Sequence, residues 1–375
     1  MKRLGVVILV LGVAAIVTVA WGGHELPVYP SFYPHEIEIK SLVPDRAAQA
    51  LRDGNIQAYV GGGLSYPGTP PADIGAVESL GAIVVVRVNP GSIRASNEAS
   101  ACAVVNTVIR ALAAQGEFVR HPYPVTPFHG DYLHHADLAA AAKARFSGGD
   151  APIPDLKIKA GGSLAQRHPD WSARDADWDA EVVEVDAAEL MASATFAVNG
   201  WLAPPWLRTG WFHAERLLAD GMSEPAQIQR AEAYLRRLAA GEFTGLVERI
   251  NLERDLVTAL TVGCGKIVAG YTVKREYVNV EYSAGIENIG YDAIAGLHSP
   301  IFIRTVKLKD FPWNGWLALG IGGEPTAAWN PIGGMTDPFG RLLGAAVGDP
   351  ALLPSPYDAG WMLNRIADIP TSPGR

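Results

Sequence analysis

The 375-residue chain has no dense run of lysine and arginine and carries a formal net charge of −8. That absence argues against nucleic acid as a partner, because neutralising phosphates needs a basic face. Charged residues make up only 19% of the chain and apolar ones 49%, a balance that buries a core and excludes a disordered polyelectrolyte. With two cysteines, Cys102 and Cys264, at most one disulfide can form. Cys102 shares a helical stripe with Val105, Ile109 and Leu112, so a plain buried thiol is the competing reading. No Gly-x-Ser-x-Gly elbow, no Cys-x-x-Cys-His and no dinucleotide-binding glycine fingerprint occurs. "GCGKIVAG" lacks the Ser/Thr and upstream glycine of a phosphate loop.

Beyond residue 21 no stretch is long and apolar enough to span a bilayer, but the first residues are different. Lys2 and Arg3 precede an uncharged run from Leu4 to Trp21, which as a helix reaches roughly 27 Å, close to the hydrocarbon thickness. The basic pair favours retention on the cytoplasmic side, so the body that follows is exported. An uncleaved anchor holds it on the periplasmic face of the membrane; a signal peptide cut after Ala20 releases it as a secreted protein.

The remainder predicts a mixed α/β and α+β fold in two domains, 24–150 and 151–375, after a leader at 1–23. In the first half, strand patterns at 36–42 and 56–60 and the β-branched run "GAIVVVRVNPG" (81–91) alternate with helical patterns at 45–54 and from Asn97 to Gly116. A helix around Tyr132–Phe146 closes it. "SGGDAPIPDLKIKAGGS" (147–163) reads as a linker. Helices are expected at about 187–197, 206–220, 224–240 and 244–262. The third has Ser223 as cap, Pro225 in its first turn and Gly241 as its stop. The period then changes to two in "KREYVNVEY" and "RTVKLK", which predicts antiparallel strands. The tail from Pro354 reads as extended and loosely held.

Three features could carry chemistry. "PFHGDYLHHADL" (127–138) crowds three histidines and two aspartates together. With His121 it offers a divalent-metal or acid–base set of His121, His129, Asp131, His134 and His135. Asp131 and His135 are i, i+4 neighbours on one helical face, whereas adjacent His134 and His135 diverge by about 100°. The competing reading makes Asp131 a helix cap, His134 solvated and His135 a packing residue. The second feature is "DADWDAEVVEVD" (175–186), which resembles the calcium loop of EF-hand proteins. Asp175, Asp177, Asp179 and Asp186 take its first, third, fifth and twelfth places, with Ala180 where that loop has glycine. Asp186 also suits a helix start. The third is tryptophan: Trp201, Trp206 and Trp211 in "WLAPPWLRTGW", then Trp313 and Trp316 in "PWNGW". Asn-Gly-Trp-Leu-Ala occurs in both segments, and Asn-Gly favours a turn that would aim the ring. These five are candidates for lining a ligand site, with core packing as the alternative.

In element order the chain resembles two-lobed solute-binding proteins, which implies a ligand cleft between lobes. The leading expectation is an exported, membrane-tethered protein binding a small molecule or a protein partner in that cleft. A metal-dependent enzyme or redox subunit using the histidine cluster, and a scaffold subunit of a membrane complex, are the alternatives. Fractionating cells that express the full chain tests the placement all three share: the product belongs with membranes or in the exported fraction. Intact chain found only in cytosol removes it.

Overall fold

The β-branched run at 81–91 proves to be the second half of a longer strand. In a computed structural model, β3 (Ile74–Val88) and β7 (Lys266–Asn279) lie antiparallel, in register from Ile74–Asn279 to Arg87–Lys266. The structure describes residues 33–364, apart from 65, 67–68, 115, 148–151, 174–176, 192–204, 310–314, 327–334, 336, 349–350 and 359. The leader therefore lies outside the described residues, and none of the described helices is long and apolar enough to cross a membrane. The pairing shifts register between Leu80 and Ile83 and again between Val84 and Val85. Such bulges sharpen the local twist of a ladder.

Every other strand of the main sheet is added to this pair. β1 (Glu36–Ser41), β2 (Ala58–Val60) and β10 (Trp316–Ile321) extend one end, in the order β1–β10–β2–β7. β6 (Ala180–Asp186) and β5 (Ile158–Ala160) extend the other, in the order β3–β6–β5. β4 (Phe118–Arg120) takes the edge of β7 at Thr272–Gly270, where β2 no longer reaches. The β1–β10, β10–β2 and β5–β6 pairs are parallel and the rest antiparallel, so the sheet is mixed, as the fold class predicted. Strands from both sides of residue 150 are hydrogen-bonded neighbours in it. The 147–163 stretch, read as a linker, contains β5 itself. Its Ile158, Lys159 and Ala160 oppose Ala180, Glu181 and Val182, and Ile158 is buried. A glycine- and proline-rich flank hid a strand only three residues long.

Helices cover the sheet at both ends. Against one face, Leu80, Ile83, Val85, Val268 and Tyr271 pack under α6 (Gly210–Leu218), α7 (Pro225–Ala240) and α8 (Leu246–Leu260). On the opposite face Val84, Val86, Val88 and Ile267 pack on α2 (Glu98–Ala113). α2 begins at a capping box, in which Asn97 accepts from Ser100 N–H and Ser100 Oγ accepts from Asn97 N–H. At the far end β2, β10, Val77 and Val278 pack on α9 (Pro300–Thr305) and α10 (Pro338–Val347). Tyr59, Ile74 and Tyr277 cover α1 (Pro44–Arg52). α7 starts at Pro225 and ends at Gly241, whose φ of +68° is the left-handed stop the sequence announced. Its cap is Glu224, not Ser223, and makes no side-chain hydrogen bond.

Two sequence readings are replaced. Asp175–Asp186 is not a calcium loop: β6 begins at Ala180, so Asp179 and Asp186 stand at opposite ends of an extended segment roughly 23 Å long. Asp179 is buried and accepts from Ser92 Oγ (2.5 Å) and Lys157 N–H (2.9 Å), and Asp186 accepts from Ala188 N–H (2.7 Å). The stretch beyond Pro354 is also better held than expected. β11 (Leu352–Pro354) and β12 (Trp361–Leu363) form an antiparallel hairpin.

Cys102 in α2 and Cys264, just before β7, form a disulfide across 162 residues with Cα atoms 5.1 Å apart. The bridge ties a covering helix to the start of the central ladder. Closing so long a loop restricts the unfolded chain strongly. Replacing both cysteines by serine is expected to lower the unfolding free energy by about 2–5 kcal/mol in denaturant titration. An unchanged midpoint under oxidising conditions would refute this.

Candidate functional site

Where α8 meets the 121–137 segment, its buried stripe carries an acid. Leu252, Leu256, Val257 and Leu260 are buried along this face, and Glu253 lies among them at 3% exposed. Leu246 and Val247, in contrast, face solvent. A carboxylate buried beside leucines needs a reason, since desolvation disfavours its charge. The reason sits opposite. Asp131 and His135 project from the turn Tyr132–His135 and its flank, and one ligand atom from each of Asp131, His135 and Glu253 lies within 4.8 Å of the others.

Each member is held by a different element. The Asp131 carboxylate accepts from Gly210 N–H (2.9 Å) and Trp211 N–H (3.2 Å), so it caps α6 from 79 residues away. It makes no cap bond to its own turn, contrary to the local-cap reading. Thr209, the residue at the cap position of α6, instead donates its hydroxyl to Trp206 O (2.6 Å). His135 is fully buried; its Nδ1 lies 2.9 Å from the Tyr123 hydroxyl and its Nε2 has no partner. Glu253 Oε1 lies 3.4 Å from Arg249 Nε, one helical turn earlier, and its Oε2 has no partner. Arg254, the next residue of α8, donates to both Asp137 oxygens (2.8 Å each) and to the His134 carbonyl. That clamp holds the 132–137 segment over Glu253. Burial, assisted by Asp131, pushes the Glu253 carboxyl up to about 7, while Arg249 opposes the shift. Burial also pulls His135 down to about 4, against the pull of Asp131.

A recess of about 230 Å³ opens beside this cluster. Asp131, His134, Arg249 and Glu253 line it from the helical end of the molecule; Asp292 and Tyr357 close it from the other end. Arg208 bridges the two sides through an ion pair with Asp292 and a hydrogen bond to Ser355 O (2.6 Å). The tail approaches so closely that a Cβ on Gly130 would lie 2.7 Å from Tyr357 O.

The other predicted imidazoles turn away. His121 Nε2 bonds to Val125 O (2.9 Å), and burial lowers its pKa. Thr126 N–H donates to His129 Nδ1 (2.9 Å), which fixes the proton on Nε2. That Nε2–H donates to His213 Nδ1 (2.9 Å), and His213 Nε2–H donates to Leu207 O (2.9 Å). Two buried imidazoles are thus satisfied in series, both neutral. His134 is half-buried at the wall of the recess. The histidine set therefore divides: Asp131 and His135 converge as their spacing predicted, His121 and His129 do not, and Glu253 replaces them.

The tryptophans do not gather around one site. Trp211 is 2% exposed, and Trp206 stacks on it with ring centroids 5.6 Å apart inside the core under α6. Trp316 opens β10 at 71% exposed. Trp201 and Trp313, with most of the Asn-Gly-Trp-Leu-Ala repeat, lie outside the described residues. Proline-broken segments suggested loops, but the short turn at 205–208 feeds directly into a buried helix.

No family model and no curated protein matches the chain. Among solved structures it is similar to NikZ from Campylobacter jejuni in complex with Ni(L-His), at 14% identity and a TM-score of 0.31 over 66% of this chain and 56% of that one. It is also similar to HbpA2 from Haemophilus parasuis (11%, TM-score 0.39, 71% and 56%). A third is the oligopeptide-binding protein AppA from Bacillus subtilis in complex with a nonapeptide (10%, TM-score 0.36, 71% and 58%). The chain spans little more than half the length of these proteins, and likeness at this level carries no functional argument.

Burial lowers the His129 pKa from 6.5 to about 3 and that of His213 well below 6.5. As pH falls below about 6.5 the unfolded chain takes up protons that these two rings refuse. Their contribution is whole above that pH and is lost below it, by about 1.4 kcal/mol per pH unit for each ring that stays neutral. NMR titration of the folded protein should show both imidazoles neutral down to about pH 5. A midpoint near the ordinary histidine value for either ring would break the relay.

Proposed function

We propose that this chain is an exported binding protein for a small polar ligand, held in the recess between the helical end of the sheet and the Asp292–Tyr357 side. The observation that carries the reading is the lining: Arg249, Glu253, Asp131, His134 and Asp292 converge from separate segments on one recess of about 230 Å³. Ligand sites are concave, and a few convergent polar groups give them their specificity. Arg249 Nε and Glu253 Oε2 lack protein partners, so a ligand can satisfy donors and acceptors already desolvated. The tie from Arg208 to Asp292 and Ser355 would couple occupancy of the recess to the approach of its two sides.

The extracytoplasmic location rests on two independent features. The uncharged leader sends the body outward, and a disulfide between distant residues persists in an oxidising compartment. A retained leader tethers the protein to the membrane; a cleaved one frees it. Either way the ligand is a solute of that compartment.

Metal-free protein screened by thermal shift against amino acids, short peptides, sugars and small anions tests the reading. One class is expected to raise the melting temperature by several degrees, since a ligand at about 100 times its Kd contributes about 2.7 kcal/mol. Arg249→Met is expected to abolish that shift without unfolding the protein. A shift that survives this change, or no shift with any class, overturns the assignment of the recess.

A further inference from the structure

We infer that Asp131, His135 and Glu253 form a binding centre for one divalent first-row transition ion at the floor of the recess. This rests on the binding reading above and names a ligand class for the same site. Three observations on the molecule point to it. First, the donor set mixes one imidazole with two carboxylates, a borderline combination that suits zinc and its neighbours better than calcium or magnesium, which prefer oxygen alone. Second, two donors are buried and unsatisfied: His135 Nε2, on a fully buried ring, and Glu253 Oε2, on a side chain 3% exposed. A buried polar atom with no partner in an otherwise bonded interior calls for a ligand. Third, the supporting contacts are those a metal site needs. Tyr123 holds His135 Nδ1 at 2.9 Å, which leaves Nε2 as the ligating nitrogen, and two backbone N–H groups of α6 hold the Asp131 carboxylate.

The fit is close to what an ion demands. Bonds of about 2.1 Å place adjacent donors roughly 3.0–3.4 Å apart. The present separations, up to 4.8 Å, close to that range by rotation of Glu253, whose Oε2 is engaged by nothing else. An ion there would neutralise two carboxylates that share a desolvated site. The recess leaves room for water or a solute on the open side of the ion. Binding would displace any proton on the ligating atoms and form three metal–ligand bonds, with no redox step.

Untagged full-length chain, stripped with chelator and titrated with Zn²⁺ by calorimetry, tests the inference. Co²⁺ absorption serves as a second probe of inner-sphere binding. One equivalent of Zn²⁺ is expected, and Glu253→Gln and Asp131→Asn should each weaken binding by at least about 10–100-fold while far-UV circular dichroism stays native. The asparagine keeps an acceptor for α6, so Asp131→Asn reports on binding should the glutamine variant fail to fold. No Zn²⁺ binding by the wild type, or full affinity in both variants, overturns the centre. Failure here with a positive solute screen removes only the metal; success here with a negative screen removes only the solute.

Discussion

The β3–β7 ladder is the contact on which everything else depends. These strands share up to fourteen or fifteen residues each, whereas β2, β4 and β5 contribute three apiece. Short strands cannot stand alone in water, so they persist by adding to a pair that is already long and buried. The ladder also unites the cores. Val77 and Val278 belong to the cluster under α9 and α10, while Leu80, Ile83, Val85 and Val268 belong to the cluster under α6 to α8. Pulling the two strands apart would expose both.

Polar anchoring follows the same plan. Glu276 in β7 is fully buried and accepts from Gly61 N–H (2.8 Å) and Leu297 N–H (2.7 Å), with Lys274 at 3.6 Å. It fixes loops from distant parts of the chain to the ladder. Asp131 does the same for α6, and α6 in turn presents His213 to His129. Buried charge in this protein therefore serves first to position backbone, and only where acceptors remain unsatisfied does it point to a ligand. Asp131 belongs to both groups, which links the stability of the helical end to the chemistry of the recess.

Much of the local structure was legible from residues alone. The capping box at Asn97, the Pro225 start and Gly241 stop of α7, and the alternating strands at 36–41 and 276–279 each depend on neighbours within a few positions. The pairing of Asp131 with His135 was legible too, because helical spacing is a local property. Glu253 left a weaker trace, an acid on the leucine stripe of α8 while Leu246 and Val247 lie outside. The three-residue β5 and the true cap of α6 left none, since their stability comes from partners remote in sequence.

The sequence by itself determined the mildly acidic, core-forming character of the chain, its greasy leader, and the positions of most helices, because composition and periodicity act over a few residues. Only the tertiary structure decided that strands from both halves share one sheet, that Cys102 meets Cys264, and that Asp131 and His135 find Glu253 rather than His121 or His129. Those outcomes depend on which buried surfaces meet. A residue's local sequence constrains its own backbone conformation but not what lies across the core from it.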